Sequence, residues 1–361
     1  MAHISIIVPT YNERENLPIL VERIARSLSG LEYELIIVDD NSPDGTGRLA
    51  EELAQRFPLR VVHREGKKGL ASAVAEGLKH ASGDILGVMD ADLQHPPEVV
   101  PQLIRALEKA DVAIASRYVR GGGTEGWTIS REIISRVAKF IPRIPFAQVR
   151  GIKDPLSGFF ALRKGVVEGV KLDPIGFKIL LEILVRGKYE HVTEVPFVFR
   201  GRERGKSTFT LKEQVNYLRH VWRLAWTQGE VLRFIKFYLV GGSGVIVNFG
   251  FYALLTRVLG LGLHEYDIAG RVISFALSTE LGILNNFTWN NLWTFKDRRD
   301  SSLLGRISKF HLVALTGDAP SIAFFWGLIR FTGILDLIAV IVAIAAASVI
   351  KFVLNTIWTW R

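Results

Sequence analysis

The stretch Ile85-Leu86-Gly87-Val88-Met89-Asp90-Ala91-Asp92-Leu93-Gln94-His95 decides how this chain is read. An apolar run of strand length ends in two carboxylates two positions apart. A carboxamide follows at Gln94, and Pro96-Pro97 stops the run. Oxygen donors at a strand end suit a hard divalent cation, which commonly bridges a protein to a diphosphate. In α/β sheets, ligands bind beyond the carboxyl ends of the strands. Taken alone, Asp-x-Asp is better read as a polar turn with Asp92 capping the next helix; the flanking chain reverses that preference.

Upstream, the same arrangement recurs. Residues 4–8 form a short β-rich run closed by Pro9-Thr10-Tyr11-Asn12-Glu13, and residues 16–28 carry apolar side chains at helical spacing. A second strand is expected at 35–38, ending in Asp39-Asp40-Asn41-Ser42-Pro43-Asp44-Gly45. Helices follow at 46–56, 70–80 and 98–108, and strands at 60–62, 85–89 and 112–115. Continuous apolar strands alternating with helices predict a mostly parallel α/β sheet covered on both faces, in a doubly wound, Rossmann-like layout. No Gly-x-Gly-x-x-Gly follows the first strand and no Gly-x-x-x-x-Gly-Lys-Ser/Thr occurs. A dinucleotide enzyme and a P-loop NTPase are therefore disfavoured. The strand ends offer Tyr11, Glu13, Asp39, Asp40, Asp90 and Asp92 instead, a rim suited to a ribose, a base and a metal.

The 361 residues suffice for two domains. The absence of cysteine excludes disulfides, thiolate metal sites and cysteine nucleophiles. A formal charge of +9 calls for an anionic partner. Nucleic acid explains it poorly, because much of the basic charge flanks apolar spans. The chain enters its first strand with no signal-peptide pattern.

The segments 8–13, 37–46 and 90–97 resemble, in order and spacing, the family-2 glycosyltransferases, and within them the dolichyl-phosphate (polyprenyl-phosphate) mannose synthases. Gly66-Lys67-Lys68-Gly69-Leu70-Ala71-Ser72-Ala73, Ser116-Arg117-Tyr118, Asp154-Pro155-Leu156-Ser157-Gly158-Phe159 and the stretch 197–206 continue the likeness. The resemblance covers about two-thirds of the chain. It implies a glycosyltransferase A-type domain over 1–230 that transfers mannose from GDP-mannose to a membrane-borne polyprenyl phosphate, with inversion at the sugar. It also implies that Pro9, Tyr11, Glu13, Val38, Asp40, Asp90, Ala91, Asp92, Arg200, Arg202 and Lys206 contact the nucleotide sugar. Asp92 and Gln94, with Asp90 nearby, would hold Mg²⁺ or Mn²⁺. Arg117, Arg131, Ser135 and Arg202 are the candidates for the acceptor phosphate. Asp90, Asp92, Arg117 and Lys206 are the expected catalytic set, and residues 201–208 look like a lid. A polyprenyl-phosphate glucosyltransferase using UDP-glucose shares these motifs, and a lipid-linked sugar carrier is the rival from another class.

Two basic, partly apolar segments, near 128–149 and 211–229, have the character of helices lying in a membrane interface. Residues 237–255 then run without a charge, long enough to cross a bilayer. Four transmembrane helices in two hairpins are expected over 231–361, near 234–256, 268–289, 308–330 and 335–356. Lys296, Arg298, Arg299, Arg306 and Lys309 lie between the uncharged runs of the second and third, Arg233 and Lys236 before the uncharged run of the first, and Arg361 after the last. By the positive-inside rule these ends, and the catalytic domain, are cytoplasmic. The stretch 286–295 echoes 351–360, and with 237–249 this part resembles the GtrA-like membrane family. Glu280, Asp318 and Lys351 lie within or near the spans and are assigned no site.

Overall fold

The computed structural model describes residues 3–66, 69–201, 211–261, 268–299, 301–316 and 336–360. The chain divides into two compact units, Met1–Leu224 and Ala225–Arg361.

The first unit is built on β1 (Ile4–Thr10), β2 (Tyr33–Asp39), β3 (Leu59–His63), β4 (Ile85–Val88), β5 (Val112–Ser116), β7 (Phe160–Arg163) and β8 (Val192–Pro196), in the order β3-β2-β1-β4-β7-β5-β8. β1 is buried at every residue, as expected of a strand covered on both faces. Helices α1 (Leu17–Ser27), α2 (Thr46–Leu53), α3 (Leu70–His80) and α4 (Val100–Ala106) join the first strands. Leu17, Leu20, Val21 and Ile24 of α1 and Leu103 of α4 enter one core with Ile4, Ile6, Val8, Leu35 and Ile37. α3 lies close on β1: a Cβ on Gly77 would stand 2.4 Å from Ile7 Cγ2, so only glycine fits there.

The sheet is mostly parallel, as expected, with one antiparallel strand. β7 runs antiparallel to both β4 and β5, through Val88↔Phe160 and Ile114↔Phe160 among other pairs. Its four residues carry too short a pattern to be recognised in the sequence. A two-stranded ribbon, β6 (Gly123–Thr124) with β9 (Val198–Phe199), was likewise unanticipated. From β1 the chain winds outward to β2 and β3 and returns on the other side as β4, so the β1/β4 boundary is a switch point. Later helices are α5 (Ile129–Phe140), α6 (Ile179–Arg186) and α7 (Leu211–Thr227).

In the second unit, α8 (Glu230–Ala253), α9 (Ile268–Trp289) and α11 (Asp336–Leu354) each continue into a single π-helical turn, at Leu254–Val258, Asn290–Thr294 and Asn355–Thr359. α10 is Leu303–Thr316. The repeat noted in the sequence has a structural counterpart. Phe295 N–H donates to the Asn290 carbonyl at 2.8 Å and Trp360 N–H to the Asn355 carbonyl at 2.9 Å. The two rings then stack face to face, centroids 4.4 Å apart and 8° from parallel. The echo extends to the helix starts. Arg233, Lys236 and Phe237 share their spacing with Arg306, Lys309 and Phe310, and Lys236 and Lys309 sit 5.2 and 5.9 Å from the rings of Trp293 and Trp358.

Among the described residues one helix, Glu230–Val258, is long and apolar enough to cross a membrane, with a mean hydropathy of 1.6. α9 falls short because Arg271, Ser274, Ser278, Thr279, Glu280, Asn285 and Asn286 dilute its apolar character. Several of these face α8: Asn285 Nδ2 donates to Ser243 Oγ at 2.9 Å and Asn248 Nδ2 to Thr279 Oγ1 at 3.4 Å. Polar groups bonding across packed helices of this kind hold helices together where water is scarce. Glu280 meets His311 of α10 at 2.8 Å. The expected span near 308–330 runs past the described residues after Thr316, and Asp318 lies outside them.

Candidate active site

Three strands that adjoin in the sheet, β2, β1 and β4, release their chain at the same edge. Among the described residues, the non-glycine positions with positive φ are Asn12 (59°), Asn41 (56°) and Leu93 (62°), one beyond each of these strand ends. Asparagine tolerates this conformation; leucine does not, and its strain persists only where the surroundings impose it. Backbone strain gathered at one sheet edge marks a site.

Beyond β4, Asp92 and Gln94 are both about 7% exposed. Gln94 N–H donates to Asp92 Oδ1 at 3.2 Å, and Gln94 Nε2 donates to the Arg200 carbonyl at 2.9 Å. That bond assigns the amide orientation and leaves Gln94 Oε1 as an acceptor beside a carboxylate. Among the described residues no three His, Cys, Asp or Glu side chains gather to enclose a metal. The donor set fits a hard cation that keeps waters and takes the rest of its shell from substrate phosphates, the habit of Mg²⁺ and Mn²⁺. Asp90 N–H donates to His95 Nδ1 at 3.1 Å, so the ring carries its proton on Nε2. His95 stacks on Phe159 at 5.1 Å and meets Phe197 and Phe199 edge-on. A Cβ on Gly158 would lie 3.2 Å from Asp90 Oδ2, so this glycine keeps room for the carboxylate.

Beyond β1 and β2, Pro9 pairs in register with Val38. Asn12 N–H donates to Ser42 Oγ at 3.0 Å and Glu13 N–H to Thr46 Oγ1 at 2.9 Å, which ties the two loops together. Glu13 accepts from Asn16 Nδ2 at 2.7 Å. Asp39 closes its own loop through Ser42. Asp40 is buried, pairs with Arg64 at 2.7 Å and accepts from Gly69 N–H at 2.9 Å. Part of its carboxylate is thus committed within the protein. Tyr11 and Glu13 are half-buried at the rim.

Beyond β5 lies a cage of cations and aromatic rings. Arg117 grips Asp154 in a fork, Nε–Oδ2 and Nη2–Oδ1 both at 2.8 Å, and Asp154 is fully buried. Burial works against both charges, but mutual attraction outweighs it: Asp154 is held below its ordinary pKa and Arg117 above its own. The fork uses two of the five guanidinium donors. Arg117 stands 5.4 Å from the Trp127 ring, and Arg131 4.3 Å from the same ring. The Trp127 indole N–H is buried without a hydrogen-bond partner among the described residues. Ser135 Oγ bonds the Tyr118 hydroxyl at 2.7 Å, and Lys139 Nζ lies 3.4 Å over the Tyr118 ring.

The fold therefore brings Pro9, Tyr11, Glu13, Val38 and Asp40 together at β1/β2, Asp90, Ala91, Asp92 and Gln94 with Arg200 at β4, and Arg117, Arg131 and Ser135 at β5. Arg202 and Lys206 lie outside the described residues.

Residues 5–170 match the family model "Glycosyl transferase family 2", and residues 236–360 match "GtrA/DPMS, transmembrane domain". A dolichol-phosphate mannosyltransferase of Pyrococcus furiosus is 50% identical over 358 residues, 99% of each chain. The chain belongs to glycosyl transferase family 2. It is a glycosyltransferase with an appended membrane domain, and so a membrane protein. The dolichol-phosphate mannosyltransferase of Saccharomyces cerevisiae is 36% identical over 252 residues, covering 65% of this chain and 93% of that one. Among solved structures, glucosyl-3-phosphoglycerate synthase of Mycobacterium tuberculosis, in complex with Mn²⁺, UDP-glucose and phosphoglyceric acid, is similar at 20% identity with a TM-score of 0.48, over 63% of this chain and 79% of that one.

Sequence reasoning about this glycosyltransferase passed over four groups the structure places at the site. They are His95, Asp154, Trp127 and Lys178. The first two stood inside quoted motifs without a role, and Trp127 directly precedes a stretch read only as amphipathic. The signal for Lys178 was a lysine directly before an apolar helix, where the helix dipole disfavours a cation.

His95 and His220 bear on acid stability. Burial, opposed at His95 by Asp92 and reinforced at His220 by Arg223, lowers both from 6.5 to about 4. The unfolded chain binds protons first as pH falls, so native stability declines from about pH 6.5 to about pH 4, by about 3 kcal/mol per histidine. Thermal melts across that window should show the decline, and a His220→Phe variant should show less of it.

Proposed function

We propose that this enzyme transfers mannose from GDP-mannose to dolichyl or another polyprenyl phosphate, with inversion, releasing GDP. The observation that carries the reading is the placement of an oxygen-donor pair, Asp92 and Gln94, and a cationic cage, Arg117 and Arg131, at the ends of β4 and β5, strands separated only by β7. One suits a donor diphosphate and the other an acceptor phosphate. The P. furiosus and S. cerevisiae relatives' names supply the sugar and the lipid.

Pro9, Tyr11, Glu13 and Val38 hold base and ribose, with Asp40 braced by Arg64. An acceptor phosphate oxygen attacks the anomeric carbon from the face opposite the diphosphate. The new C–O bond forms as the bond to the GDP oxygen breaks, and the electron pair leaves with GDP. A phosphate monoester has a second pKa of about 6, so at neutral pH it needs no general base. Arg117, Arg131 and the Ser135 hydroxyl orient it. Asp92 and Gln94, with Asp90 beside them, would hold Mg²⁺ or Mn²⁺, whose Lewis acidity neutralises charge on the departing diphosphate. Arg200, Arg202 and Lys206 are assigned to the donor by the family resemblance.

The acceptor's prenyl chain belongs in a bilayer. Support for docking there comes from α5, whose Ile129 is 79% exposed beside exposed Ile133, Val137 and Phe140, with Arg136 and Lys139 on the same helix. Val215, Leu218 and Trp222 on α7 are exposed as well. Such faces lie in a membrane interface. The catalytic domain is assigned to the cytoplasmic side, and residues 231–361 to a membrane domain of four helices in two hairpins.

The test uses the full chain in vesicles containing polyprenyl phosphate, with labelled GDP-mannose or UDP-glucose. Label should reach the lipid from GDP-mannose only, in the β-anomer, and chelator should stop it until Mg²⁺ or Mn²⁺ is returned. An α-linked product would overturn single displacement. Transfer from UDP-glucose alone would replace the sugar, and lipid movement without transfer would favour a carrier.

A further inference from the structure

Lys178 directly precedes α6, at the end of the helix where the dipole opposes positive charge. Its ammonium donates to the Leu156 carbonyl at 2.9 Å. Among the described residues it forms no ion pair, so it meets a neutral oxygen instead of a counter-charge. Leu156 lies two residues beyond Asp154, the partner of Arg117. Lys178 and Arg117 therefore grip one short segment. The charged groups that bear on Lys178 are Arg117, Asp154, Asp90 and Arg131. Arg117 and Asp154 cancel as a pair, and Asp90 offsets one of the two remaining cations, Arg131 and Lys178, so the group as a whole keeps one net positive charge. Burial, the helix end and neighbouring guanidiniums oppose a cation here, while the Leu156 carbonyl, the Phe177 ring at 4.3 Å and the Asp154 and Asp90 carboxylates favour it; a phosphate oxygen would add a further counter-charge.

We propose that the Lys178 ammonium is a further ligand of the acceptor phosphate, sharing a dianionic phosphate monoester with Arg117 and Arg131. The proposal rests on the acceptor assignment made above. It matches charge in sign: a group of net positive charge, with a guanidinium and an ammonium outside the Arg117–Asp154 pair, faces a monoester that carries close to two negative charges at neutral pH. It also predicts a pH dependence. Burial, then the Arg117 charge, lowers Lys178 from 10.5 to about 8. Above that pH the free enzyme loses this cation and the acceptor binds more weakly. The acceptor phosphate, with a second pKa of about 6, is mostly dianionic across pH 7 to 9. Lys139, over the Tyr118 ring, is the other amine of the cage, and a permanently charged replacement at 178 separates the two.

The experiment measures KM for a short-chain polyprenyl phosphate and for GDP-mannose with the full chain in detergent, for wild type, Lys178→Met and Lys178→Arg. A charge-assisted hydrogen bond of ordinary strength predicts at least a tenfold rise in acceptor KM for Lys178→Met, with donor KM unchanged within twofold. Lys178→Arg should restore most of the loss at pH 7 and flatten the rise in acceptor KM that wild type shows from pH 7 to 9. GDP binding, measured separately, reports that each variant is folded. An acceptor KM within twofold of wild type in Lys178→Met, equal rises for donor and acceptor, or a pH profile that Lys178→Arg leaves unchanged overturns the role of Lys178 while transfer itself stands. Failure of wild type to use any polyprenyl phosphate overturns the acceptor assignment, and this role with it.

Discussion

Replacing Asp92 by alanine is expected to cut transfer by about three orders of magnitude, close to 4 kcal/mol of transition-state stabilisation, with little change in folding. Two losses add. The carboxylate that would hold a cation against the leaving diphosphate disappears, and so does the Oδ1 acceptor that keeps Gln94 N–H in place at 3.2 Å. Because Leu93 between them is held at a φ of 62°, the loop should relax once that bond is gone. The check is kcat against Mg²⁺ or Mn²⁺ concentration, together with metal-dependent GDP binding. Alanine at 92 should abolish the metal response of both, and Asp92→Asn should retain the fold but little of the response. A variant that keeps full metal-dependent turnover would remove Asp92 from the cation's shell.

The second large effect is expected at a residue that touches no donor. Asp154→Asn leaves Arg117 buried without a counter-charge, and breaking such a pair from one side costs about 3–5 kcal/mol. Asp154 also accepts Arg117 N–H at 3.1 Å, so the substitution disturbs the join between β5 and the loop before β7. Thermal unfolding should show a lowered Tm for the catalytic unit, and the acceptor KM should rise as the guanidinium leaves Trp127. Removing both charges, Asp154→Asn with Arg117→Met, should recover much of the stability and none of the transfer. If the double variant transfers normally, Arg117 serves only the fold.

Both predictions concern contacts of different legibility. Asp92 was legible because its signal is local: an apolar strand, an abrupt carboxylate, a carboxamide two residues later. The same holds for Tyr11, Glu13 and Asp40, which stand at strand ends that periodicity alone locates. The Arg117–Asp154 fork spans 37 residues, and Trp127 receives its two guanidiniums from a strand end and a helix. No spacing rule joins these groups. The insertion of β7 between β4 and β5 sets how far the acidic and cationic ends stand apart, and four residues are too few to announce an antiparallel strand. In the membrane domain the repeated ends of α9 and α11 were readable, whereas the stacking of Phe295 on Trp360 depends on how two π-helical turns aim their rings.

Alone, then, the sequence determined the alternation of strands and helices, the acidic strand ends, the basic flanks and the apolar second half, because each is written within a few neighbouring residues. The tertiary structure alone decided which charges meet: it buried Asp154 under Arg117, set Trp127 between two guanidiniums and brought Lys178 to the same cage. Those meetings follow from sheet order and helix docking, which are settled by burial over the whole unit and not by any local stretch.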